Sequence, residues 1–251
     1  MPISLDKFRE LPAFEEREVQ KEKERQKISQ FIEWLKDPSN VIIGCNVFAR
    51  SEPRDQIYVL CMNLAAEPDP KGKLFAIDSL LREWNKKSFY RFRPDLLEKI
   101  TPDIQDFLRQ QGHQIETLEG TTLGHLDSSE VQLASELYWK LSKYESIRQT
   151  GASKALHMMV PRFFVMWDDK ISSAYHRLHS GHKVQEAACY QEFMRTCNEI
   201  AESVMSKASE KELSTKHPSF KVSGFKKTLA KMIDECNYAE FTLKKQKAKS
   251  K

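Results

Sequence analysis

The stretch GASKALHMMVPRFFVMWDDKIS, residues 151–172, sets an amine and two carboxylates among apolar neighbours. Lys154 stands near the start of a helical pattern that Pro161 ends, and Asp168 and Asp169 follow the aromatic run FFVMW. A lysine amine attacks carbon only when neutral, so it needs surroundings that disfavour the ammonium form. Leu156, Met158, Met159, Phe163 and Phe164 are placed to provide them. An aspartate at the head of the next helix, DDKISSAYHRL, is favoured there by free backbone N–H groups and the helix dipole. The pair Lys154 and Asp168 thus offers a nucleophilic nitrogen and a negative charge able to stabilise a developing cation. Asp169 competes for the second role, and His157, three residues after Lys154, falls beside it on a helix. The competing reading is structural: a lysine stem reaching solvent, an aspartate that only caps, and aromatic residues that only fill the core.

These residues need elements to hold them. In RQTGA, Gly151 is the residue expected to adopt positive φ, turning the chain between a helix ending near Ile147 and one beginning at about Ser153. A helix, hairpin, helix arrangement presents backbone N–H groups and a helix N-terminus to a phosphate, making Gly151 and Ser153 candidate nucleic-acid contacts. Trp167 or Phe164 offers an aromatic face on which a base could stack. Arg91 and Arg93 alternate with Tyr90 and Phe92 in YRFRP and are candidate backbone contacts.

Helix, glycine hairpin, lysine at the start of the next helix, then an aspartate with Ile171 soon after it: this order resembles the helix-hairpin-helix superfamily of DNA glycosylases over roughly residues 130–180. The resemblance implies that Lys154 is the attacking amine, Asp168 the catalytic carboxylate and Gly151 the hairpin glycine. It implies a DNA-repair glycosylase with AP-lyase activity, in which a damaged base is everted from the duplex. The amine then attacks the sugar C1′ and the Schiff base progresses to strand cleavage. The hairpin carries one glycine where the superfamily has two one residue apart, and the interval from Lys154 to Asp168 is shorter. The alternative from another class is a helical module without catalysis, binding nucleic acid or a protein partner.

The rest of the chain reads as mainly α, a multi-helix globular domain over 1–243 with a basic tail at 244–251. Glycine is scarce, at 8 of 251 residues, which favours helices over a turn-rich β architecture. The net charge of +4 belongs to the tail: KKQKAKSK holds five lysines, and without it 35 basic residues meet 36 acidic ones. Apolar stripes at helical spacing run through Ile28–Leu35, Leu74–Trp84, Leu133–Tyr144, residues 184–206 and Phe225–Cys236. Thr101 and Pro102 read as a helix start and Gly112 as its stop. The run VIIGCNVFARSEPRDQIYVLCMNLAA fits buried strands or buried helices equally, and KASEKELSTKHPSFKVSG reads as a polar loop. No run approaches the ~18 apolar residues of a membrane span, and the N-terminus lacks the pattern of a signal peptide. Five cysteines without CxxC spacing read as reduced thiols of an intracellular protein. His176, His179 and His182, with Cys189 and Cys197 downstream, read as surface histidines or histidines near a nucleic-acid phosphate, and as core thiols, rather than as metal ligands. No nucleotide-binding or metallohydrolase motif is present, and neither metal nor cofactor is expected; DNA is the partner that the resemblance implies.

Overall fold

The structure, a computed structural model, describes residues 11–67, 69–84, 93–179 and 186–244. It is mainly helical, and no strand occurs among the described residues. The helices are α1 (Leu11–Leu35), α2 (Pro38–Ser51), α3 (Asp55–Ala65), α4 (Pro70–Trp84), α5 (Ile100–Leu118), α6 (Ser128–Ser142) and α7 (Arg148–Met159). They continue as α8 (Asp169–His179), α9 (Glu186–Met205), α10 (Glu210–Lys216), α11 (Pro218–Ser223) and α12 (Leu229–Tyr238). A 3₁₀ turn, Pro94–Lys99, leads into α5, and a π turn, Ala239–Leu243, prolongs α12. Helix α12 is the axis, and all of its residues are buried. Against it lie α2 and α9, while α7 rests on α4 and α6, and α8 on α1 and α9.

Local chemistry sets the helix boundaries. Asp37 accepts the Ser39 N–H at 2.8 Å and Pro38 occupies the first turn, so the proline that stops α1 also begins α2. Asp127 and Glu130 form a reciprocal capping box at the head of α6. The ambiguous apolar runs at 41–66 are the helices α2 and α3. In α2, Val41, Gly44, Cys45 and Phe48 face inward, the i, i+3, i+4, i+7 spacing of a helix.

Four expectations need correction. Gly112 does not stop α5, which continues to Leu118. Thr101 is not its cap: the 3₁₀ turn runs directly into the helix, and the Thr101 hydroxyl turns to Asp78 at 3.3 Å. The polar loop contains α10 and α11, capped by the Ser209–Glu212 box and by the His217 ring on the Ser219 N–H. The chain turns between α6 and α7 before Gly151, which is buried inside α7; the positive φ, 56°, falls on Arg148 instead. Hydrogen bonds from the N–H groups of Ile147 and Arg148 to the Tyr144 carbonyl close that turn earlier than the glycine suggests. A non-glycine residue there stores roughly 1–2 kcal/mol of strain.

Candidate amine and carboxylate site

Lys154 sits one turn into α7 and is 5% exposed. Burial pushes its proton affinity down to about 8, a fall that Asp168, Asp234 and Asp169 oppose and Arg54 assists. Its Nζ lies 5.7 Å from the ring centre of Trp84, beside which Lys231 Nζ (5.2 Å) and the Arg54 guanidinium (5.5 Å) also lie. The Trp84 ring thus gathers cations from α7, α12 and the α2–α3 connection. Arg54 is held in a bidentate fork by Glu52, at 2.6 Å to each oxygen, and Tyr238 donates its hydroxyl to the same carboxylate at 3.1 Å.

Asp168 precedes α8 and caps it, Oδ1 accepting the N–H groups of Lys170 (2.8 Å) and Ile171 (2.9 Å). Thr242, on the π turn, donates to Oδ2 at 2.7 Å. Asp169 is exposed and accepts from the Thr150 hydroxyl at 3.1 Å. A cleft of about 620 Å³ opens against this end of α8, lined by Tyr138, Thr150, Trp167, Asp168, His176 and Arg177 among others. Its size suits a small-molecule or nucleotide-sized group. Lys154 is not among its lining residues.

The other predicted contacts are distributed as follows. Trp167 is 4% exposed at the cleft wall, against Tyr138, Tyr190 and Phe193 at 4.9–5.6 Å between ring centres. Ser153 is wholly buried, and its hydroxyl exchanges hydrogen bonds with the Trp167 backbone at 3.1 and 3.2 Å, tying α7 to the segment before α8. Arg93 is exposed but engaged by Asp95 and by Glu145. Arg91, His182 and residues 245–251 of the basic tail lie outside the described residues. Both ring nitrogens of His157 are engaged elsewhere: its Nδ1–H donates to the Phe164 carbonyl at 2.6 Å, and Nε2 accepts the Tyr58 hydroxyl at 2.9 Å. Burial lowers its proton affinity to about 3, so the ring is neutral.

Sequence reasoning missed a buried ionic cluster around α12. Lys227 bonds both Asp55 and Glu235, and Lys231 bonds Asp234 at 2.6 Å and reaches Glu235 at 3.7 Å. His217 Nε2 meets the other Glu235 oxygen at 2.6 Å. The signal was present: lysines at 227 and 231 and acids at 234 and 235 repeat at i+3 and i+4. That spacing reads equally as an exposed face. Cys45, His217 and Glu235 bring potential metal-ligand atoms within 4.8 Å of one another. Burial opposes charge on His217, while hydrogen bonds to Cys45 and Glu235 favour it. The cap decides the matter. Nδ1 accepts the Ser219 N–H at 3.0 Å, so the one ring proton sits on Nε2 and points at Glu235. The ring is neutral, and it has no lone pair left for a cation. With Lys227 and Lys231 also on Glu235, the trio is a hydrogen-bonded core, not a metal centre.

Among the described residues no helix is long and apolar enough to cross a membrane. No protein-family model matches the chain, and comparison with curated proteins and with solved structures likewise finds no match.

Proposed function

We propose that the protein is an intracellular DNA-repair enzyme of the glycosylase and AP-lyase type, acting on a damaged or lost base through a Schiff base on Lys154. The observation that carries this reading is the Lys154 amine: buried, lowered to about 8, and within the field of Asp168. An amine so placed is neutral in roughly a tenth of molecules at pH 7, against well under a thousandth for an ordinary lysine. Asp168, fixed by three donors, supplies a negative charge toward the cation that grows on a sugar as its base departs. Helices α6 and α7, with the turn at 143–147, are the counterpart of the superfamily's helix-hairpin-helix element. Trp167 in the cleft wall is its stacking surface.

Borohydride reduction during incubation with abasic-site DNA tests this directly. The wild type is expected to form a covalent adduct, and Lys154→Ala to lose it while keeping its helical circular dichroism. An undiminished adduct in that variant rules out Lys154 as the amine. One observation favours the second reading, a nucleic-acid- or protein-binding module without catalysis: Lys154 does not line the open cleft. That reading expects salt-sensitive DNA binding with no adduct in the wild type.

A further inference from the structure

We propose that the exposed face of residues 216–226, which carries Lys216, Lys221 and Lys226, is a preorganised seat for the phosphate backbone of duplex DNA. The inference takes DNA as the partner from the reading above and deepens it, and it does not depend on the Lys154 amine.

Charge in this part of the chain is one-sided. Residues 213–233 hold five lysines and no acid. Lys227 and Lys231 are buried and balanced by Asp55, Asp234 and Glu235. Lys216, Lys221 and Lys226 are exposed, and among the described residues none of them has an ion pair or a side-chain hydrogen bond. The nearest acids in the sequence are occupied: Glu212 turns back to the Ser209 N–H and hydroxyl at 2.8 and 2.9 Å, and Glu210 faces Arg162 at 3.7 Å.

A loop that only keeps a protein in solution needs no internal anchors, and this one has several. His217, wholly buried between α10 and α11, meets Glu235 through Nε2 at 2.6 Å and takes the Ser219 N–H on Nδ1 at 3.0 Å. The Ser219 hydroxyl donates to Asp55 at 2.9 Å, and Lys227 bonds Asp55 and Glu235 together. Gly224 reverses the chain at a φ of 70°, its N–H on the Phe220 carbonyl at 2.8 Å. Phe225 packs edge-on against Tyr58, with 6.3 Å between ring centres. Inward anchors thus alternate with outward lysines along the segment. The buried ionic cluster, costly to assemble, fixes the frame on which those lysines stand. Little ordering of the backbone is then left to be lost when a ligand binds.

The chemistry of the face selects the partner. Lysines supply point charges to phosphate oxygens without reading bases. Within residues 213–233, Val222, at 85%, is the one exposed large apolar side chain, while Phe220 and Phe225 are half-buried. A single valine is too little apolar surface to hold a membrane. The Thr228 hydroxyl donates to the Pro161 carbonyl at 2.8 Å, which sets this face beside the C-terminal end of α7, whereas the cleft lies at Gln149 and Thr150 near its start. The 12 residues of α7 separate the two by about 18 Å, roughly five phosphate spacings along one strand. A duplex running in that direction reaches both.

The test is fluorescence anisotropy of the full chain on a duplex of about 20 base pairs, with salt varied from about 50 to 200 mM. Lys216→Gln, Lys221→Gln and Lys226→Gln combined should cut the slope of log affinity against log salt by nearly three, since each lost phosphate contact removes about 0.9. Across that range the wild type should weaken about fortyfold more than the triple variant. A control with the same loss of charge, Lys23→Gln, Lys27→Gln and Lys71→Gln, should keep the wild-type slope; these lysines are exposed on α1 and α4. Equal effects of the two triple variants would mean that only net charge matters and overturn the assignment, as would a slope that neither changes. A wild type that ignores DNA but binds phosphatidylserine vesicles through the three lysines overturns it in favour of a membrane surface. One that binds no duplex at all removes the face and the DNA reading together. Borohydride trapping keeps the face and the amine apart. Lysine-dependent DNA binding without an adduct removes the amine and keeps the face, and an adduct whose salt dependence ignores the three lysines does the reverse.

Discussion

At the scale of single residues, the side chains that matter are those whose polar atoms are committed in the dry interior. His157 is the sharpest case. Its Nδ1–H is spent on the Phe164 carbonyl, so the ring depends on the Tyr58 hydroxyl to satisfy Nε2. Tyr58→Phe keeps the ring and its packing but leaves that nitrogen buried without a donor, which costs about 1–3 kcal/mol. Urea unfolding at pH 7 measures it, and a loss below about 0.5 kcal/mol would mean that the bond contributes nothing. That Lys154 and Asp168 lie next to apolar side chains was legible in the sequence, because charged residues inside an apolar run stand out by type. The direction of His157 was not, since spacing from Lys154 says which side chains share a face but not which partner from α3 meets them. Asp234 was hidden for the same reason: its neighbours come from α7 and the segment before α8, remote in the chain.

At the scale of elements, α12 holds the molecule's polar core. Its apolar stripe through Leu229, Met232, Ile233 and Cys236 was legible from periodicity, and the start of α8 from its paired aspartates. Periodicity reports one apolar face and cannot say that the opposite face is covered too, and α12 is enclosed on every side. Its charges are therefore partners rather than solvated groups. Close approach also depends on Gly44, where an added Cβ would come within 2.4 Å of Cys236 Sγ across the α2–α12 contact. Lys231→Met removes one member of the cluster and strands Asp234, which is expected to cost about 3–5 kcal/mol. Lys231→Met combined with Asp234→Leu removes both charges, and its cost should fall well short of the two single losses added together. Equilibrium unfolding of the four proteins decides this: strict additivity would show that the pair does not interact.

At the scale of the whole molecule, buried titratable groups govern the response to acid, and they do not all pull one way. His157 takes its proton at about 3 when folded and at about 6.5 when exposed, because burial disfavours its charge. The unfolded chain therefore binds more protons between those values, and stability falls as pH drops through them. Asp234 acts in the opposite sense: raised by burial from 3.8 to about 6, it takes its proton first in the folded state, so stability rises as pH falls from about 6 to about 4. Burial would also raise Glu235, but Lys227, Lys231 and His217 outweigh it and hold its carboxyl below the ordinary range. Its contribution is present above about pH 4.5 and is lost below. Between about pH 6 and 4 the His157 and Asp234 effects offset one another, and below about 4 only losses remain. The wild type should accordingly hold nearly level stability from pH 6 to 4 and then unfold steeply. Asp234→Asn removes the offset, so its decline should begin near pH 6. Urea unfolding at half-unit steps of pH would separate the two curves. A wild-type curve that falls steadily from pH 6.5 would mean that Asp234 carries no proton near neutrality.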